Sequence, residues 1–239
     1  VLLVLMYHRI SNFNIFHEYI RYISQSYPVV IPGDDLPDGK LSICLTFDDG
    51  YFDFYHKVFP ILSELQIKAV VGVSARYIIE KAYVKSEIRL NVPYDETMKD
   101  DIFYEKAPFC TWQELKEMAD SGIVKVASHS YSHANLIKNN VDLTDEIVQS
   151  KQIIEQRLSQ KIDTFIYPFG EVDKRAHKFT SGHYKYLMRI GSALNKDWHN
   201  SNNMIYRVNG DDLIDRKDFG KINLFKYFLK YISNTIRGK

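Results

Sequence analysis

Two histidines stand four residues apart in His129-Ser130-Tyr131-Ser132-His133. If the chain turns helically there, both imidazoles share one face. One added carboxylate makes a His₂-Asp set, and three protein ligands with an open position suit a catalytic divalent metal such as zinc. The pair also reads as two imidazoles on a solvated surface. Asp48 and Asp49 are adjacent in Thr46-Phe47-Asp48-Asp49-Gly50. At a strand end, neighbouring side chains point to opposite sides. One carboxylate can then bind a metal while the other takes a proton from the attacking water. The same pair, placed just before a helix, also reads as an N-cap. A third cluster, Tyr167-Pro168-Phe169-Gly170, follows another apolar run.

These clusters can act together only if three strand ends meet. Short apolar runs alternate with helical patterns along the chain, the signature of a parallel β/α architecture. Strands are expected at 1–7, 41–47, 68–74, 123–127 and 164–167, with fainter ones at 187–192 and 204–208. A helix over 53–65 should kink at Pro60. Another should start at a Thr111/Glu114 capping box and stop at Gly122. Residues 142–160 carry Leu143, Ile147, Ile154 and Leu158 on one side, an amphipathic helix. Residues 80–110 include a long stretch without a clear period, which predicts a functional or mobile insertion. In parallel barrels the loops at the C-terminal strand ends converge on one face. The three clusters should therefore meet.

A 239-residue chain with 45% hydrophobic and 26% charged residues suits one domain spanning 1–239, and is too apolar for a disordered tail. Lys+Arg 31 against Asp+Glu 30 argues against a bulk nucleic-acid binder. Cys44 and Cys110 are expected to be unpaired, Cys44 inside an apolar strand. No apolar stretch reaches the roughly 18 residues of a membrane span. The opening Val1–Met6 run is too short for a signal peptide core. The expected location is the cytoplasm, or the periplasm or envelope if a leader has been trimmed.

The ordered set Thr-Phe-Asp-Asp-Gly, His-Ser-Tyr-Ser-His and Tyr-Pro-Phe-Gly resembles the polysaccharide deacetylase family, carbohydrate esterase family 4. Phe59-Pro60-Ile61-Leu62 with Ile67-Lys68-Ala69, and Leu5-Met6-Tyr7-His8-Arg9-Ile10, resemble its flanking elements. The resemblance covers about residues 1–210. It implies a distorted (β/α) barrel and metal-dependent removal of N-acetyl groups from a saccharide, in bacterial envelope polysaccharide or lipopolysaccharide O-antigen assembly. It implies that Asp49, His129 and His133 hold a divalent metal ion, with zinc expected. Asp48 would be the general base. The Phe169 backbone N–H would help stabilise the tetrahedral oxyanion. Tyr167, Pro168 and the Phe169 ring would shape one wall of the groove. The rival readings are deformylation of a lipid-linked amino sugar and a saccharide-binding barrel that has lost turnover. The intact Asp48, Asp49, His129 and His133 speak for an enzyme.

Two departures from the family pattern bear on the chemistry. Many members carry Arg two residues before the Pro of the third motif, where this chain has Ile166. The late Leu-x-x-His motif that supplies a general acid is missing, and no His follows His199. His8, after the first strand, is the expected acid. His199, beside Asp197-Trp198, is the alternative. Arg207 is expected to orient Asp48. A final helix over 223–236 places Leu224, Phe225, Phe228, Leu229, Ile232 and Ile236 near one side, with Lys221, Lys226, Lys230, Arg237 and Lys239 around it. It is expected to dock on the barrel, with peripheral contact to a membrane surface as the alternative.

Overall fold

The computed structural model describes residues 1–200, 202–214 and 224–236. Strands β1 (Leu2–Tyr7), β2 (Ser42–Phe47), β3 (Ala69–Val73), β4 (Val124–Ser128), β5 (Thr164–Ile166), β6 (Tyr186–Ile190) and β7 (Ile205–Asn209) close into a parallel barrel in chain order. Closure sets Val4 beside Arg207 and Met6 beside Asn209. Strands buried on both faces read as continuous apolar runs, which is why the runs marked them so well. Alternation sorts the side chains. Val4, Cys44, Val70, Ala127, Ile166 and Met188 fill the barrel, while Leu5, Leu45, Val71 and Leu187 face the helices. Both cysteines are free.

The helical layer comprises α1 (Phe13–Ser26), α2 (Phe59–Leu65), α3 (Ser86–Leu90), α4 (Asp100–Lys106), α5 (Trp112–Asp120), α6 (Ser150–Leu158), α7 (Lys174–Ser181), α8 (Asp211–Ile214) and α9 (Leu224–Ile236). The helix expected over 53–65 is split. A wide π turn over Phe54–Val58 lets the Phe59 N–H reach the Phe54 carbonyl, and Pro60 then falls in the first turn of α2. There its missing N–H costs no helical bond. The helix expected over 142–160 divides the same way, a π turn over Thr144–Gln149 feeding α6. The capping box of α5 is formed as expected. Glu114 N–H donates to Thr111 Oγ1 at 3.2 Å, and Thr111 N–H to Glu114 Oε2 at 2.7 Å.

The stretch from 80 to 108 is not structureless, since it holds α3 and α4. Both helices are too short to show a period. A buried cation organises the segment instead of an apolar stripe. Arg89 donates to both Glu114 oxygens at 2.7 and 2.9 Å and to the Ala107 and Phe109 carbonyls at 2.8 Å. Its guanidinium lies 3.5 Å from the centre of the Phe52 ring.

The far end of the barrel settles His199. Trp198 belongs to the interior cluster with Tyr186, where β6 begins, and its indole N–H donates to the Asp34 carbonyl at 2.8 Å. His199 stacks on Tyr186 with 5.6 Å between ring centres. Both lie at the N-terminal mouth, a barrel length from the Asp48 loop, so His199 and Asp197-Trp198 are structural. The final helix begins within its expected span. Asn223, Lys221, Arg237 and Lys239 lie outside the described residues.

Candidate active site

Asp48 continues the β2 ladder, its N–H on the Tyr7 carbonyl at 2.9 Å. Its side chain therefore points into the top of the barrel. Asp49 follows with φ 69°, a left-handed conformation that turns its carboxylate elsewhere. The backbone thus sends the two carboxylates in different directions. Arg207 reaches across from β7 and grips Asp48 with a fork, Nη1 to Oδ1 at 2.6 Å and Nη2 to Oδ2 at 2.9 Å. Nη1 also donates to Thr46 Oγ1 at 3.2 Å. Burial is the largest single influence and would raise the Asp48 pKa, but the Arg207 charge and its hydrogen bonds, with smaller contributions from the neighbouring histidines, together outweigh it and hold the carboxyl down at about 2. Asp48 is therefore ionised at neutral pH.

His129 continues β4, its N–H on the Val73 carbonyl at 2.8 Å. The segment to His133 is not helical. Left-handed residues at Ser130 (φ 67°) and His133 (φ 57°) fold it back instead. Both Nε2 atoms then face Asp49 Oδ1, His129 at 3.6 Å and His133 at 3.4 Å. One donor atom from each of Asp49, His129 and His133 lies within 4.8 Å of the others.

The chemistry of this donor set fits a divalent cation. Neither Asp49 oxygen accepts a hydrogen bond of normal geometry from a described residue, although the carboxyl is 1% exposed. Burial, then the neighbouring Asp48 charge, pushes its pKa up to about 8 when no cation is present. The Tyr51 and Tyr94 hydroxyls pull the other way but do not offset burial, and a cation would relieve the cost of the buried charge. Burial pushes the imidazoles down, to about 3 at His129 and about 4 at His133, so both are neutral. His129 Nδ1 lies 2.8 Å from the Ile166 carbonyl. That oxygen can only accept, so Nδ1 carries the proton and Nε2 offers its lone pair to the cluster.

Residues outside the three motifs hold the cluster in place. Glu146, in the π turn before α6, accepts from the Ser132 N–H at 2.9 Å and from its hydroxyl. Ser150 donates to the Ser130 carbonyl at 3.0 Å. Sequence reading passed over both, since each looks like an ordinary polar position in an amphipathic helix. Gly72 keeps the floor open. A Cβ there would lie 2.9 Å from Ile166 Cδ1 and 3.7 Å from Asp48 Oδ1.

The rim is aromatic. His8 lies one-third exposed with Nε2 3.9 Å from Asp48 Oδ2, as expected of a group facing the pocket. Tyr94, from the 80–110 insertion, stands 6.2 Å from the His8 ring and 5.7 Å from Tyr51. Arg9 ties that insertion to the rim by donating to the Val92 carbonyl at 2.8 Å and to the Leu90 carbonyl. Nothing in the sequence marked Tyr94, because its segment has no period and no motif. Opposite, Phe169 is 57% exposed and meets His133 edge-on at 4.7 Å. Its φ of 59° swings the ring out of the core. Tyr167 and Pro168 depart from the expected groove wall. Both are buried, Tyr167 packing on Phe165 in the outer layer, so they support the loop from behind.

The polysaccharide deacetylase family model matches residues 35–184, more than half of the chain. The chain belongs to the polysaccharide deacetylase family. The poly-β-1,6-N-acetyl-D-glucosamine N-deacetylase of Escherichia coli strain K12 is 35% identical over 109 residues, 45% of this chain and 14% of that protein. This chain thus spans a small part of that relative's length. Among solved structures, IcaB from Ammonifex degensii superimposes with a TM-score of 0.67 at 20% identity, over 87% of this chain and 91% of that one. A Bacillus cereus polysaccharide deacetylase gives 0.67 at 21%, over 87% and 64%. Both likenesses are of fold, a (β/α) barrel.

In this member of the polysaccharide deacetylase family the departure at Ile166 has a physical counterpart. Ile166 points into the barrel interior, fully buried, and Arg207 enters that interior from β7. The guanidinium is supplied from another strand. Arg207→Met would leave the Asp48 carboxylate buried without its partner. Such a loss costs about 3–5 kcal/mol. In urea unfolding, Arg207→Met should be strongly destabilised, and adding Asp48→Asn should recover part of the loss. Simple additivity of the two changes would show that the fork contributes nothing as a pair.

Proposed function

We propose that this chain hydrolyses N-acetyl groups of an envelope saccharide, with Asp49, His129 and His133 holding one divalent ion, zinc in our reading. The observation that carries it is the cluster of Asp49, His129 and His133, a buried carboxylate facing two neutral imidazoles, beside an arginine-held carboxylate. When bound, the ion supplies Lewis acidity toward the amide carbonyl and lowers the pKa of water toward ~7. Asp48 takes the proton of the attacking water as a bond forms to the acyl carbon. His8 returns a proton to the nitrogen as the C–N bond breaks, giving acetate and the free amine. The Phe169 N–H is the candidate donor to the acyl oxygen. The Phe169 and Tyr94 rings flank the entrance, where a sugar ring can pack between them. Arg207 and His8 supply the two functions whose usual motifs are absent, which favours turnover over a barrel that only binds.

The E. coli relative is named for poly-β-1,6-N-acetyl-D-glucosamine, so oligomers of that sugar are the first substrates to try. Acetate release should stop on chelation and return with zinc. His8→Ala should lower turnover by ~10²–10⁴ if it is the acid. Absence of acetate release with zinc, cobalt or manganese present, on both β-1,6 and β-1,4 oligomers, would contradict the reading. Unchanged turnover in His8→Ala would remove that residue alone.

A further inference from the structure

The helix α9 docks by the face opposite to its apolar one. Tyr227 is buried, and its carbonyl accepts from the Leu194 N–H at 3.2 Å. Asn234 is 7% exposed and donates to the Gly191 carbonyl at 3.0 Å. On the other side Phe225 is 69% exposed, Phe228 49%, Leu229 50%, Ile232 39% and Ile236 80%. At 3.6 residues per turn these five fall within a sector of about 100°, the width of the stripe that a surface helix ordinarily turns to its core. The comparison with α1 is direct, because α1 turns Phe16, Tyr19, Ile20 and Ile23 inward. The sequence expectation that the apolar side of α9 docks on the barrel is therefore corrected: the helix docks, but by Tyr227 and Asn234.

Charge indicates what covers the exposed stripe. From Phe219 to Lys239 the sequence carries Lys221, Lys226, Lys230, Arg237 and Lys239 and no Asp or Glu, in a chain whose net charge is +1. Lys226 and Lys230 are exposed on the helix surface between the docked and apolar faces. A second copy laid antiparallel on the same stripe by two-fold symmetry would bring the two lysine-bearing flanks to the same side of the pair. An anionic lipid surface offers acyl chains to the stripe and phosphate to the lysines. Thirteen residues make a helix about 20 Å long, short of the roughly 30 Å hydrocarbon core, so it would lie along the surface and not span it.

We propose that α9 is the face by which this protein rests on an anionic membrane surface. Its C-terminal half meets Gly191, directly after β6 at the site end of the barrel, so the groove is held beside the lipid. The inference is independent of the reaction proposed above. The test is co-sedimentation of the purified chain with phosphatidylcholine vesicles, with and without phosphatidylglycerol. The chain should sediment with the anionic vesicles, and less so as salt is raised. Phe225→Asp/Phe228→Asp should weaken this by about tenfold or more, each ring contributing buried apolar area. Tyr83→Asp, an 87% exposed aromatic elsewhere, should leave it unchanged. Circular dichroism checks that the variants fold, and Lys226→Glu/Lys230→Glu gives an independent weakening. The proposal is overturned if the chain stays in the supernatant with anionic vesicles, or if both double variants bind as well as the parent. It is equally overturned if light scattering finds a dimer that Phe225→Asp/Phe228→Asp dissociates, which would make a second copy the occupant.

Discussion

Asp48→Asn should keep the metal and lose turnover by ~10²–10⁴, the range for removing a general base. Asn has nearly the same size and still offers one oxygen to the Arg207 fork, so the pocket keeps its shape. It cannot take a proton. It also cannot neutralise the guanidinium, which is 1% exposed, so the variant will be less stable as well. Turnover must then be measured per folded molecule, on a substrate that the parent hydrolyses. Metal content by elemental analysis should match the parent, because Asp49 and the two imidazoles are untouched. Parent-like turnover would reduce Asp48 to a structural partner of Arg207.

The second large effect concerns the ion itself. His129→Ala removes a ligand whose tautomer is set by the Ile166 carbonyl at 2.8 Å. Losing an outer partner of a metal ligand typically costs about 10–100-fold in affinity, and losing the ligand should cost more. Titration calorimetry with zinc should show binding weakened beyond that range, and acetate release should vanish at stoichiometric zinc. The barrel should persist, since β4 keeps its backbone pairing with β3 along its length. His133→Ala should behave likewise, though its ring is more exposed. Full metal occupancy in both variants would place the ion, if there is one, elsewhere.

Much of the architecture was legible because β1, β2 and β3 are buried on both faces. A strand so buried reads as a nearly continuous apolar run that stands out without any alignment, whereas β6 and β7, which carry Arg189 and Arg207, read more faintly. The capping box at Thr111 was legible for a similar reason: it is local, made by residues three apart. Elements held by distant partners were not. The insertion around α3 and α4 depends on Arg89, whose acceptors lie 18 to 25 residues away. The π turns before α2 and α6 were read as parts of single helices, the first kinked at Pro60, because a one-residue widening leaves the apolar spacing nearly intact.

The candidate site divides along the same line. The sequence by itself determined which groups are present: two adjacent carboxylates, two imidazoles four apart and an aromatic loop, each after an apolar run that had to be a strand. Residue type and strand order follow from local chemistry and hydrophobic pattern. Which side chain meets which was decided by the closure of β7 on β1, for that places Arg207 against Asp48, 159 positions away in the chain. Only the fold could show that Tyr167 is buried behind Phe169, or that Tyr94 faces His8 across the rim. Only it could show that α9 turns its apolar stripe outward, because a helical pattern fixes which residues share a face and says nothing of where that face points.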